Sequence, residues 1–135
     1  MKQLDELLEY VDYSQLIGPK NAVITSITAN SRMAKEGALF VAVKGTQADG
    51  HVYIENAIEQ GAKVIVCEIL PAEQNPEVTY VVTADSQDAL GNIAAAFYNH
   101  PSEKMIMVGV TGTNGKTTIA TLLYRLFRQL GHKVG

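Results

Sequence analysis

The sequence predicts an α/β protein in two parts: a small mixed-sheet domain over residues 1–101, then the first strand, loop and helix of a truncated parallel-sheet domain over residues 102–135. Two observations carry this prediction. Short β-rich runs alternate with helical patterns up to Pro101, where a proline ends the last of these helices. After it, a continuous apolar run, a glycine-rich turn and an amphipathic helix follow one another as a single βα unit.

The elements of the first part follow from residue spacing and from turn residues. Leu4, Leu7, Leu8 and Val11 lie on one helical face and predict an opening helix. The β-rich runs predict strands at 23–28, 38–43, 63–67 and 79–83. Two further helices are predicted, one at 53–60 stopped by Gly61 and one that begins at Asp85 or Ser86 and ends near 99–101. The single cysteine, Cys67, falls in a buried-strand pattern and is interpreted as a core residue.

The second part is predicted to contain one strand and one helix. Residues 105–110 are uniformly apolar, which is typical of a central parallel strand covered on both faces. One helical face carries Ile119, Leu122, Leu123, Leu126, Phe127 and Leu130, and Gly131 follows it. A lone βα unit cannot bury this stripe, so residues 105–130 are expected to pack on the first domain or on another chain, self-association through stripe 119–130 included. The rest of the domain is expected beyond residue 135.

Composition excludes several classes of partner. The formal net charge is −3, from 11 basic and 14 acidic side chains, and no basic run or basic helix face is present, so nucleic acid is not an expected partner. No stretch approaches the ~18 apolar residues of a membrane span, and acids stand where a secretory signal needs an apolar core. We therefore expect a cytoplasmic protein that binds small molecules.

The segment from Thr111 to Thr118 reads TGTNGKTT and joins the apolar run to the helix, the context that a phosphate-binding loop requires. Glycines let backbone N–H groups turn towards phosphate oxygens, and a helix N-terminus adds its positive dipole end. The predicted ATP-binding residues are Gly112, Thr113, Asn114, Gly115, Lys116, Thr117 and Thr118. Lys116 is the candidate catalytic residue and Thr117 the candidate Mg²⁺ ligand. The alternative is an ordinary strand-to-helix turn, which does not explain a lysine at a helix start.

Two sets of residues resemble a known family. The string GVTGTNGKTT at 109–118 is similar to the ATP loop of the Mur ligases, and folylpolyglutamate synthetases carry a similar loop. Upstream, NSR at 30–32, GALFVA at 37–42 and GTQADGH at 45–51 resemble the uridine-binding domain of the Mur ligases. The resemblance covers residues 28–118, and the combination of blocks is more specific than either alone.

The resemblance implies a uridine-binding first domain and an ATP-binding second one. It implies that the UDP end of the substrate is contacted by Ala29, Ser31, Thr46, Gln47 and Ala48. Arg32 and Lys44 are further candidates for contact with the diphosphate. Without the resemblance, 46–51 is a plain surface loop and Ser31-Arg32 a turn. His51 is expected to be structural.

The activity implied by the resemblance is ATP-dependent amide-bond formation in peptidoglycan precursor synthesis. The third amino acid, meso-diaminopimelate or L-lysine, would be added to UDP-N-acetylmuramoyl-L-alanyl-D-glutamate through an acyl phosphate, with ATP and Mg²⁺ required. Further metal ligands and the amino-acid site are expected beyond residue 135, so these 135 residues alone are expected to be inactive. The alternatives are the related ligase that adds D-alanyl-D-alanine and a free-standing nucleotide-binding module.

Overall fold

The computed structural model describes every residue except Thr46 and Gln47. The chain divides into two compact units, Met1–Pro101 and Ser102–Gly135.

The first unit contains seven strands and three helices within its described residues. The strands are β1 Lys2–Gln3, β2 Tyr13–Ile17, β3 Val23–Ile24, β4 Ser26–Thr28, β5 Ala38–Val41, β6 Ala62–Cys67 and β7 Thr79–Thr83. The helices are α1 Leu4–Leu8, α2 Ile54–Glu59 and α3 Ser86–Phe97. Short 3-10 turns at Ser31–Met33 and Gly50–Tyr53 precede β5 and α2.

Five of the strands form one mixed sheet in the order β2-β7-β6-β5-β4. Strands β4, β5, β6 and β7 run parallel, and β2 pairs antiparallel with β7 at the edge. The mixed sheet predicted from sequence is confirmed. Because the four parallel strands all end on the same side, the segments that follow them share one edge of the sheet, called here the carboxyl edge.

The sheet is buried on both faces. In β5, Leu39 and Val41 belong to the core that also contains α1 and α3, whereas Ala38 and Phe40 belong to the core beside α2. This explains why the central strands are continuous apolar runs rather than alternating ones. Cys67 is fully buried in the second core, as predicted.

Two features of the sheet differ from the sequence prediction. The run at 23–28 is two strands, because the Thr25 hydroxyl donates to the carbonyl of Glu36 at 2.8 Å and the chain changes partner there. Strand β3 pairs with β1, and β4 pairs with β5. The edge strand β2 was missed because its first three residues are exposed, so it lacks the apolar run of a buried strand.

Both ends of α3 lie where the sequence predicts them. The Asp85 carboxylate accepts from the backbone N–H groups of Gln87 and Asp88, both at 2.9 Å, which confirms Asp85 as the N-cap. At the other end, Asn99 adopts a left-handed backbone with φ 60°, and its N–H donates to Ala96. The helix thus ends with a left-handed cap two residues before Pro101.

The second unit contains α4, Lys116–Gln129. The strand predicted at 105–110 is wrong for this unit: no strand is assigned there, because the described residues of the unit offer no second strand to pair with. Gly131, with φ 87°, follows the end of α4. Its N–H donates to the carbonyl of Arg128, and the N–H of His132 donates to the carbonyl of Phe127.

The apolar stripe of α4 has no covering element within its own unit. Its side chains at Ile119, Leu122, Leu126 and Leu130 are between 48% and 63% exposed. The expected packing of 105–130 on the first domain or on another chain stays a prediction. Within the described part of the chain, no helix combines the length and the apolar character needed to cross a membrane.

Two glycines of the first unit should respond oppositely to an added methyl group. Gly91 lies inside α3, and a Cβ there would meet nothing within 4 Å beyond the backbone of its own helix, so Gly91→Ala is expected to stabilise the protein by about 0.5 to 1 kcal/mol. Gly61 has φ 107°, and a Cβ there would lie 2.8 Å from the Glu36 nitrogen, so Gly61→Ala is expected to destabilise by more than about 1 kcal/mol. Urea unfolding measures the free energy of unfolding of both variants. A change in the same direction in both would contradict the prediction.

Candidate functional site

The sequence-predicted site residues lie in two places, one in each unit. The loop Gly112–Thr118 precedes and begins α4 in the second unit. Ala29, Ser31 and Ala48 follow β4 and β5 at the carboxyl edge of the first unit. Thr46 and Gln47 lie outside the described residues.

The loop before α4 turns at two glycines that have positive φ angles. Gly112 has φ 144° and Gly115 has φ 77°, conformations that side-chain-bearing residues rarely adopt. Gly115 is the N-cap of α4 and provides no side-chain hydrogen bond. The first N–H groups of the helix therefore remain available to an anion.

Lys116 folds back over this loop. Its Nζ donates to the carbonyl oxygen of Gly112, which holds the exposed ammonium group beside the turn. The Thr117 hydroxyl makes no hydrogen bond to a described residue, although the carbonyl of Thr117 accepts from the Thr121 hydroxyl at 2.7 Å. One cation, a free hydroxyl and the N-terminus of a helix thus lie together, the groups that a triphosphate with its metal ion needs.

Of the predicted substrate residues that the structure describes, Ser31 is the most buried. It is 6% exposed, yet its hydroxyl has no hydrogen-bond partner among the described residues. Asn30 fixes the turn that presents it, because the Asn30 side chain accepts from the Arg32 N–H at 3.1 Å. The Thr28 hydroxyl contacts both the N–H and the carbonyl of Asn30. The described parts of the site therefore include a hydroxyl group with unused hydrogen-bonding capacity on a largely buried residue.

The segment after β5 is held tightly at its two ends. Lys44 and Asp49 pair as an isolated antiparallel bridge, and the Gly45 N–H donates to the Ala48 carbonyl at 3.1 Å. Gly50 donates to the Val43 carbonyl at 2.9 Å, and a Cβ on Gly50 would lie 2.7 Å from the nitrogen and the oxygen of Val43. Position 50 thus requires a glycine, because the backbone of Val43 leaves no room for a side chain there.

His51 uses both ring nitrogens, which agrees with the structural role expected for it. Its Nδ1 lies 2.6 Å from an Asp49 carboxylate oxygen, and its Nε2 lies 2.9 Å from the Glu68 nitrogen and 3.3 Å from the Ile69 nitrogen. The same Asp49 oxygen accepts from the His51 backbone N–H at 3.0 Å. That backbone hydrogen bond, followed by the one from the ring, lowers the pKa of Asp49.

Sequence reasoning missed a second polar contact at this edge. A Glu68 carboxylate oxygen accepts from the backbone N–H of Ser86 at 3.1 Å and from its hydroxyl at 2.8 Å. These hydrogen bonds, the backbone one first, lower the pKa of the Glu68 carboxyl. The one available sequence indication was position, since Glu68 is the first polar residue after an apolar strand that ends at the carboxyl edge.

Other chemistry-bearing side chains do not form a site. Burial raises the pKa of the Cys67 thiol to about 11, which keeps it protonated at neutral pH and unreactive. Among the residues described on either side of Thr46 and Gln47, no three His, Cys, Asp or Glu side chains are grouped to hold a metal ion. His100 packs its ring against Tyr10, with centroids 4.7 Å apart.

Comparison with known proteins identifies the family. Residues 23–98 match the Mur ligase family, catalytic domain. The chain belongs to the Mur ligase family. This confirms the resemblance seen in the upstream blocks.

Individual Mur ligases show how this chain relates to the family. The chain is 52% identical to the UDP-N-acetylmuramoyl-L-alanyl-D-glutamate–2,6-diaminopimelate ligase of Bacteroides fragilis, over 98% of the chain and 27% of that relative. It is 42% identical to the UDP-N-acetylmuramoyl-L-alanyl-D-glutamate–L-lysine ligase of Staphylococcus haemolyticus, over 94% of the chain and 26% of that relative. The chain thus spans about a quarter of the length of these relatives.

Solved structures of Mur ligases share the fold. A UDP-N-acetylmuramoylalanyl-D-glutamyl-2,6-diaminopimelate–D-alanyl-D-alanyl ligase from Acinetobacter baumannii matches 92% of this chain and 28% of its own, with TM-score 0.65 and 26% identity. The MurF ligase from Thermotoga maritima in complex with ADP matches 77% of this chain and 23% of its own, with TM-score 0.58 and 32% identity. The α/β fold class predicted from sequence is confirmed.

The Glu68–Ser86 contact predicts a pH dependence of stability. A carboxyl whose pKa is lower in the folded than in the unfolded protein stabilises above its unfolded pKa of about 4.3, and this contribution is lost as the pH falls through the folded value. Glu68→Gln should therefore lose less stability than the unsubstituted protein as pH falls below about 4.3. The matched control is Glu59→Gln, an exposed glutamate in α2. Urea unfolding across this pH range measures the effect, and a curve for Glu68→Gln parallel to that of the unsubstituted protein would contradict it.

Proposed function

We propose that the chain supplies the UDP-substrate domain and the ATP phosphate loop of an ATP-dependent amide-bond ligase of peptidoglycan precursor synthesis. The observation that carries this proposal is the arrangement at the start of α4, where two left-handed glycines, the Lys116 ammonium and a helix N-terminus surround one turn. The names of the Mur ligase relatives support the same activity.

The residues of this loop fit ATP with Mg²⁺. The N–H groups around Gly115 would hold phosphate oxygens, Lys116 would neutralise charge on the β- and γ-phosphates, and the Thr117 hydroxyl would ligate the metal ion. Gly112, Thr113, Asn114 and Thr118 complete the proposed ATP-binding set. ATP supplies the phosphoryl group that activates the substrate carboxylate, which as an anion is a poor electrophile, and the incoming amine then displaces phosphate. ADP in the Thermotoga maritima MurF complex supports a nucleotide in this family.

The carboxyl edge of the first unit is proposed to bind the UDP end of the substrate. In open α/β sheets ligands bind outside the carboxyl ends of the strands, where Ala29, Ser31 and Ala48 lie. Uracil offers one N–H donor and two carbonyl acceptors, and the Ser31 hydroxyl can serve either kind. Thr46 and Gln47 belong to this proposal by resemblance.

The acceptor substrate is proposed to be UDP-N-acetylmuramoyl-L-alanyl-D-glutamate, with diaminopimelate as the added amino acid and lysine as the alternative. The 52% identity to a diaminopimelate ligase exceeds the 42% identity to a lysine ligase. The second candidate is the D-alanyl-D-alanine-adding ligase, favoured by the structural match to the Acinetobacter baumannii enzyme at 26% identity. The proposal places the reaction in the cytoplasm, where ATP and nucleotide-linked precursors are available.

Substrate choice separates these candidates. The protein translated from the complete reading frame that contains this sequence is assayed for ATP-dependent ligation with UDP-dipeptide and with UDP-tripeptide. We expect the UDP-dipeptide to react with diaminopimelate. Reaction of the UDP-tripeptide with D-alanyl-D-alanine establishes the second candidate instead. A reading frame that stops after Gly135 favours a free-standing nucleotide-binding module.

Lys116 should be required for turnover but not for binding of the UDP substrate. In the full-length protein, Lys116→Ala is expected to lower kcat by at least about 100-fold, because it removes the cation beside the transferred phosphoryl group. The Kd for the UDP substrate should stay within about twofold, since the residues proposed to contact the UDP end all belong to the first unit. Lys133→Ala, near the other end of α4, is the control. Near-normal turnover of Lys116→Ala would contradict this role of Lys116. Ligation by the 135 residues alone would contradict the expectation that they are inactive.

Ser31 should contribute directly to UDP binding. Ser31→Ala is expected to raise the Kd for UDP about fivefold to tenfold, because one hydrogen bond contributes about 1 kcal/mol. Ser26→Ala is a matched control, since the buried Ser26 hydroxyl also finds no partner among the described residues but lies at the start of β4, away from the carboxyl edge. Calorimetric titration with UDP distinguishes the two variants. Equal Kd values for both would remove Ser31 from the site.

A further inference from the structure

Three segments meet at the carboxyl edge, and polar side chains connect them in series. Asp49, after β5, contacts the ring of His51. That ring accepts from the backbone of Glu68, after β6, whose carboxylate accepts from Ser86 at the start of α3, after β7. His51 thus links Asp49 to the backbone after β6.

The hydrogen bonds determine which nitrogen of His51 carries the proton. Nε2 faces two N–H donors, those of Glu68 at 2.9 Å and Ile69 at 3.3 Å, so it must present its lone pair. The proton of the neutral ring is therefore on Nδ1, which donates to Asp49. The Glu68 and Ile69 nitrogens donate to no backbone acceptor among the described residues, so the imidazole ring is the partner that satisfies them.

The position of His51 suits a role in the loop rather than in the core. Its side chain is 14% exposed, and both of its ring nitrogens contact polar groups of the loops, Asp49 on one side and the backbone of Glu68 and Ile69 on the other. The chain beside it is held by Gly50, which approaches the Val43 backbone closely, and by the Lys44–Asp49 bridge. Loss of the imidazole therefore releases one attachment of the segment while the sheet stays intact.

We propose that His51 is a positioning residue for the nucleotide substrate. Its ring accepts from the backbone after β6 and so attaches the stretch from Ala48 to Gly50, which leads directly into His51, to that part of the carboxyl edge, while Asp49 holds the ring proton on Nδ1. Ala48 is thus placed before the UDP end binds. The inference rests on the proposed function, because it takes that segment to be part of the UDP site. A residue that orders a binding segment improves affinity by reducing the entropy lost on binding.

Two amide substitutions test the contacts of Nε2 and of Nδ1 separately. In His51→Gln the side-chain oxygen can take the place of Nε2 and accept from the Glu68 N–H, while the hydrogen bond to Asp49 is lost. In His51→Asn the side-chain nitrogen can take the place of Nδ1 and donate to Asp49, while the Glu68 and Ile69 N–H groups lose their acceptor. If attachment to the sheet is what matters, glutamine retains UDP binding and asparagine does not.

The experiment measures the Kd for UDP with the 135-residue chain and KM and kcat with the full-length protein. His51→Asn is expected to raise the Kd for UDP, and the KM for the UDP-dipeptide, about tenfold with kcat within about twofold, whereas His51→Gln stays within about threefold of the unsubstituted protein. Ile58→Ala, which removes an apolar side chain packed beside the second core, controls for a general loss of stability. Nitrogen-15 NMR of His51 should report the Nδ1-protonated ring.

Each outcome has one meaning. An unchanged Kd for His51→Asn, an equal loss in the glutamine and asparagine variants, or an equal loss in Ile58→Ala overturns the positioning role. An Nε2-protonated ring does the same. Failure of the unsubstituted protein to bind UDP overturns the proposed function itself, and with it the inference.

Discussion

Four parallel strands that end on one side of a doubly covered sheet determine where this protein can place polar chemistry. Both faces of the sheet are apolar, and the side chains of β5 and β6 are almost entirely buried. Charged and polar side chains are therefore few on β5 and β6, and they collect in the segments that leave the strands. Since β4 to β7 run in the same direction, those segments meet at one edge. The predicted substrate residues after β4 and β5 and the Glu68–Ser86 contact all follow from this arrangement.

How much of this could be read from the sequence depended on whether the pattern was local. Strands β6 and β7 and helix α3 were predicted closely, because apolar runs and an Asp85 cap are contained within a few residues. The exposed edge strand β2 leaves no such pattern. The contact between Glu68 and Ser86 joins residues 18 apart, and only the fold brings them together.

The error at 105–110 has a different origin. An apolar run indicates that a segment is suited to burial, but a strand also needs a second strand to pair with, which the run does not provide. The described part of the second unit contains no other strand, so this segment forms none. In the predicted phosphate loop, by contrast, the positions of the glycines agree with the backbone conformation that the structure shows. Gly112 and Gly115 adopt backbone conformations that only glycine reaches easily, and the lysine that follows them begins the helix.

The loop and the stripe of α4 are physically coupled. The proposed phosphate cradle uses the first N–H groups of α4, so it exists only while that helix is formed. A single helix of 14 residues is marginal in water, and the cap and dipole terms that favour it contribute only about 1 kcal/mol each. Burial of six large apolar side chains could contribute on the order of 10 kcal/mol. Whatever element covers Ile119 to Leu130 therefore also stabilises the proposed anion-binding end of the helix, and nucleotide affinity should depend on a surface that extends along the helix away from the loop.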